Sequence, residues 1–187
     1  MLHTAVWCDV LFARCGGCSL YQLEHFLEPG AFVRCKDHPR DICHRNQWLK
    51  YRVGLQTPNA AMIQSVESKL PGTAWVINHP LWPALWPSMP IAQLLDMLRQ
   101  LAPSMQAIIL EDDDGASPPK LVWPPSRTQL RQLERRAGMD ALACLTILLR
   151  YAVAEGDEIA FHLSLVVSRS AHCMRLGAAT KFRRSYL

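Results

Sequence analysis

Between residues 46 and 72 the chain reads NQWLKYRVGLQTPNAAMIQSVESKLPG, and this spacing admits little except two short helices around a tight bend. Asn46 stands where an N-cap is wanted, and Trp48 and Tyr51 follow three apart, on one helical face. Gly54 stops the first helix at a position that calls for a left-handed residue. Thr57-Pro58 opens the second, with Pro58 in the first turn, where its missing N–H costs nothing. Met62, Ile63, Val66 and Leu70 form an apolar stripe that ends at Pro71-Gly72.

Helical spacing also dominates elsewhere, and no alternating strand pattern persists for long. Residues 4–14 predict a helix that turns Val6, Trp7, Val10 and Leu11 inward. Ser19 caps a second helix through Leu27, with Leu20, Leu23, Phe26 and Leu27 on its apolar side. Residues 73–90, with Trp75, Trp82, Trp86 and four prolines, predict a short helix followed by an extended, aromatic-rich crossing. Pro90 opens a helix to Leu101, carried by Ile91, Leu94, Leu95 and Leu98. Residues 110–126, an acidic cluster with Gly115 and two Pro-Pro pairs, mark a boundary. Ser126 caps a helix to Ala137. The apolar run 139–154 and the segment 158–175, with Ile159, Leu163, Val166 and Val167, then pair as an antiparallel helical hairpin. The basic tail KFRRSYL is expected to be mobile.

At 187 residues the chain is long enough for one domain or two small ones, and half of it is hydrophobic, which excludes a disordered tail. The formal charge of +4 is unevenly spread. Residues 1–70 hold 8 basic and 6 acidic side chains, 71–126 hold 2 and 5, and 127–187 hold 10 and 5. A domain built for strong non-specific DNA binding is usually more basic than this. The N-terminus lacks a basic start, Asp9 and Arg14 interrupt its apolar run, and the run 141–154 contains Arg150. No signal peptide or membrane span is therefore expected, and the location implied is cytoplasmic. Seven cysteines, an odd number, suit a reducing compartment better than a disulfide framework.

Cys15-Gly-Gly-Cys18, with Cys35, His38 and Cys43-His44 beyond, leaves two readings open: a structural zinc site or unliganded thiols. Redox work has no strand–helix unit to support it. Glu111 to Asp114 lack the alternating ligands of a calcium loop and read as a solvated acidic turn. His79 has no nucleophile with a local signature beside it and reads as a packed histidine. Phosphate-cradling glycine motifs are absent. No cofactor and no enzymatic activity are expected. The tryptophans at 75, 82, 86 and 123 either glue helices together or line a protein partner's groove.

The order Trp48, Tyr51, Gly54, Pro58, Ile63, Val66, Leu70 resembles the recognition helix and following helix of the phage-repressor type (Cro/Xre-like) helix-turn-helix family, with SLYQLEHFLE at 19–28 as a looser partner. The match covers 46–72. It departs from the family in the 17 residues from Pro29 to Arg45, where the family has a tight turn. The resemblance implies an all-α chain. It would comprise a modified helix-turn-helix region at 1–72 with a long 29–45 connector, a Trp/Pro-rich bridge at 73–89 and a helical C-terminal region at 90–187. It also implies a non-enzymatic DNA-binding regulator in which Arg45, Asn46, Gln47 and Lys50 read base edges, while Arg52 and Arg40 hold phosphates. Dimerisation would fall to helices 139–154 and 158–175, because such readers recognise paired half-sites. The alternative is a helical adaptor without DNA contact, meeting a protein partner through Trp75, Trp82 and Trp86.

Overall fold

A computed structural model describes residues 1–31, 46–111, 119–159 and 162–171, and residues 33–34 and 42–43 as backbone. The fold is all-α. Its described strands are two short antiparallel hairpins inserted between helices. The chain forms two compact units that divide between Asn78 and His79, inside the Trp/Pro-rich stretch.

The first unit contains α1 (Leu2–Arg14), α2 (Leu20–Leu27), β1 (Val33–Arg34), β2 (Ile42–Cys43), α3 (Gln47–Arg52), α4 (Ala60–Lys69) and α5 (Ala74–Ile77). α1 packs on α3 and α5, while α2 packs on α3 and α4. The core is aromatic. Trp7 stacks on Trp48 with ring centroids 6.0 Å apart, and Tyr51 meets Trp48 edge-on at 5.6 Å. The indole N–H of Trp48 donates to Glu28 Oε2 at 3.1 Å, so the polar end of the ring is satisfied as its body is buried.

Helix ends in this unit are closed by local chemistry. Ser19 and Gln22 form a reciprocal capping box on α2. Lys69 Nζ donates to the carbonyls of Phe26 and Leu27 at 3.0 and 2.9 Å, which ties α4 to the C-terminal end of α2. The Glu67 carboxylate accepts from the backbone N–H of Ala74 and Gly72, and these bonds hold its pKa below the ordinary value. Two expectations are corrected here. Asn46 sits at the head of α3 in the left-handed region (φ 50°), and its side chain does not cap the helix. α4 starts at Ala60, capped by Asn59 through Met62 N at 2.8 Å, so Pro58 precedes the helix and does not occupy its first turn.

The second unit holds α6 (Leu81–Ala84), α7 (Ile91–Leu98), α8 (Pro103–Ile109), β3 (Leu110–Glu111), β4 (Lys120–Leu121), α9 (Arg127–Arg136) and α10 (Met139–Glu155), followed by helical residues 162–171. Its centre is α10, which packs on α6, α7, α8 and α9. Every residue from Ala141 to Leu148 is buried, the pattern of a helix that is apolar all round. Each large aliphatic side chain so buried contributes about 1.5–3 kcal/mol relative to exposure. The expected extended crossing after residue 80 is instead the short helix α6 and tight turns.

Arg150 explains that difference. Its guanidinium donates to four carbonyls, those of Ala84 (3.2 Å), Trp86 (2.7 Å), Pro87 (2.9 Å) and Met89 (2.7 Å). A proline-rich stretch lacks N–H groups to satisfy its own carbonyls, and a five-donor fork replaces them. Residues 160–161 and 172–175 of the expected last helix lie outside the described residues.

Candidate binding surface on the first unit

α3 is held by its inward residues. Trp48 and Tyr51 anchor it, and its C-terminus closes in a Schellman arrangement: Leu55 N donates to Lys50 O at 2.9 Å and Gly54 N to Tyr51 O at 3.0 Å. Gly54 is left-handed (φ +70°), as its position implies. A Cβ there would stand 2.7 Å from the backbone N and O of Met1. The outward face is thereby fixed in direction.

That face carries Asn46, Leu49, Lys50, Arg52 and Val53, all exposed. The residues expected to read DNA are distributed unevenly on it. Asn46 and Lys50 face solvent. Gln47 is half-buried and donates through Nε2 to the Tyr51 hydroxyl, so it is engaged within α3. The Arg52 guanidinium lies 4.9 Å over the Phe12 ring, a cation–π contact that holds it against α1. Arg45 and Arg40 lie outside the described residues. Leu49, Val53 and Leu55 add exposed apolar surface, with Leu55 80% exposed. Apolar exposure of this kind was not foreseen from the sequence, where the same residues suit a helix interior equally well.

The long connector has structure of its own. After α2 comes a 3-10 turn at Pro29–Ala31, then the antiparallel pair β1–β2 with Val33 opposite Cys43 and Arg34 opposite Ile42. Residues 33–52 hold six basic and two acidic side chains, an excess equal to the formal charge of the whole chain. The connector and α3 thus concentrate positive charge in one sequence interval.

The other sequence-level candidates are placed as follows. Cys15 and Cys18 are half-buried, and burial followed by the neighbouring Cys18 thiol pushes the Cys15 thiol up. Cys35 and His38, expected as their partners, lie outside the described residues, as do the side chains of Cys43 and His44. Among the described residues no three His, Cys, Asp or Glu side chains are grouped to hold a metal. Burial pushes the Cys8 and Cys144 thiols up to about 12, which keeps them protonated and unreactive at neutral pH.

His79 is buried with both ring nitrogens engaged. Leu81 N donates to Nδ1 at 3.0 Å, which places the proton on Nε2, where it is donated to Asp140 Oδ1 at 3.1 Å. The ring therefore binds the start of α6 to α10. Its acceptor lone pair is already used, so it is not placed as a general base. Burial lowers its pKa, and the Asp140 carboxylate opposes that shift without reversing it.

Trp82 is buried in the second unit, which removes it from the expected partner surface; Trp75 and Trp86 are more than half exposed. Trp123 packs edge-on against Tyr151 at 4.6 Å. The expected dimer surface also changes. The apolar residues of α10 from Ala141 to Leu148 are consumed inside the unit, while Val153 near its C-terminal end and Leu165 within residues 162–171 are exposed.

Among the described residues no helix is long and apolar enough to cross a membrane. Comparison with family models, curated proteins and solved structures finds no match for this chain.

Proposed function

We propose that the first unit is a non-enzymatic DNA-binding module in which α3 and the connector before it face the duplex. The observation that carries this reading is the orientation of α3. Its aromatic face is turned inward onto Trp7 and Arg52 is held over Phe12, while Asn46 and Lys50 are presented outward within an interval, residues 33–52, that holds six basic and two acidic side chains. Lys50 and Arg45 suit guanine edges or phosphates, and Asn46 suits adenine. The packing of α3 between α1 and α2 is what a groove-entering helix requires from its scaffold.

A second reading, a protein adaptor, is favoured by Leu49, Val53 and Leu55, because exposed aliphatics on one short segment suit a protein surface better than a phosphate backbone. Equilibrium binding to mixed-sequence duplex DNA across a salt series separates the two. DNA binding predicts a steep salt dependence whose log–log slope falls by about 1 for each phosphate contact removed in Arg45→Ala/Lys50→Ala. Absence of binding at low salt with helicity intact overturns the DNA reading and transfers the surface to a protein partner.

A further inference from the structure

The second unit carries a groove that the preceding reading does not use. It has a volume of about 400 Å³ and runs between α9 and the helical stretch ending at residue 171. α9 faces it with Arg127, Leu130, Arg131 and Glu134, spaced three and four apart and so on one face. α9 buries Leu133 away from the groove and Leu130 at its floor, and leaves Arg127 and Arg131 exposed along the rim. The opposite wall brings Ile159, Leu165, Val166 and Arg169.

Two properties of this groove define its occupant. Its floor is aliphatic: Leu130, Ile159 and Val166 line it, and Leu165 remains 44% exposed. Its rim is cationic, with Arg127, Arg131 and Arg169 against the single carboxylate of Glu134. None of the three guanidiniums has an ion-pair or hydrogen-bond partner among the described residues. Arg127 and Arg131 stand at i and i+4, where like charges repel and destabilise the helix that holds them. A stretch that keeps two unpaired arginines on one helix face, and meets a third across an apolar trough, is relieved when an anionic partner covers it.

We infer that this groove is a docking site for an acidic amphipathic helix of a protein partner, whose aliphatic side chains fill the trough while its carboxylates meet Arg127, Arg131 and Arg169. A trough between two helical walls is the setting of the helix-in-groove mode, in which anchors at i, i+3, i+4 and i+7 give specificity. Duplex DNA does not match the aliphatic floor, which would bury no base edge or phosphate. The site is independent of α3, so either assignment stands or falls without the other.

The test uses the full chain and a fluorescent peptide of about 18 residues, with Leu at i, i+3, i+4 and i+7 and Glu or Asp elsewhere. A scrambled peptide of identical composition serves as comparison. Anisotropy should show saturable binding of the amphipathic peptide, weakened at least about tenfold by scrambling, by Arg131→Glu/Arg169→Glu and, separately, by Leu165→Asp. All three changed residues lie at exposed positions, and circular dichroism confirms that the variants keep their helicity. Equal binding of the scrambled peptide would overturn the inference, because charge alone would then explain it. So would peptide affinity unchanged by both variants, or displacement of the peptide by duplex DNA in a manner that Arg131→Glu/Arg169→Glu abolishes.

Discussion

The two units solve the problem of a small core in different ways. In the first, three aromatic rings, Trp7, Trp48 and Tyr51, pack together in the core, α2 and α4 are short helices closed by side-chain caps, and a left-handed glycine ends α3. In the second, one 17-residue helix, α10, is surrounded by aliphatic neighbours, and polar groups act as tethers: Arg150 on the turn carbonyls, His79 between α6 and Asp140. An aromatic core lets short helices cohere because each ring buries a large area per residue. An aliphatic core needs a long central helix to supply the same area.

The largest expected effect bears on the aromatic core. Trp48→Ala removes a fully buried ring, its stack on Trp7 and its bond to Glu28, and should cost about 3–5 kcal/mol in urea unfolding. Hydrogen exchange read by segment should rise first in α1, α2 and α3. A rise that begins in α10 would break the distinction between the units.

Arg150→Ala should follow, at about 2–3 kcal/mol, because several turn carbonyls lose a charged donor at once. Arg150→Lys should recover only part of this, since an ammonium does not reproduce the planar fork. Equal stability of the Lys and wild-type proteins would reduce the clamp to a simple charge effect.

Gly54→Ala should cost about 1–2 kcal/mol, from the left-handed backbone together with the close approach of Met1. Thermal unfolding checks it, and no change in midpoint would show that the turn after α3 is free to rearrange.

The smallest effect is the pH dependence from His79. Burial lowers its folded-state pKa below the ordinary value of about 6.5, so above that pH both folded and unfolded states are neutral and its contribution is complete. As pH falls below about 6.5 the unfolded chain takes up a proton that the folded protein resists, and stability declines until the lowered folded value is passed. The difference between wild type and His79→Gln, measured by urea unfolding at a series of pH values, should lose this slope. A slope of opposite sign would mean that Asp140 dominates over burial.

Some of this architecture is legible in local chemistry. Ser19 and Ser126 announce N-caps, and both cap their helices, in reciprocal boxes with Gln22 and Gln129. Gly54 announces a left-handed stop for the same kind of reason: a missing Cβ matters within a single turn. α8 carries a recognisable start signal, Pro103 at its first position, but at seven residues it is too short for an apolar stripe to stand out. The hairpins β1–β2 and β3–β4 offered no such signal, because two-residue strands are too short for alternation to register. At the candidate surface, the positions of Lys50 and Asn46 followed from helical spacing, whereas the diversion of Gln47 to Tyr51 and of Arg52 to Phe12 did not.

By itself, then, the sequence determined helical class, most helix bounds and their stops, because these depend on contacts within a turn or two. Tertiary structure alone decided which of Trp82 and Trp86 is buried, that Arg150 serves proline-rich carbonyls more than sixty residues away, and that α10 is buried at every position from Ala141 to Leu148. The physical reason is range. Capping and helical periodicity act over a few residues, while burial and guanidinium bonding depend on which distant segment arrives to complete them.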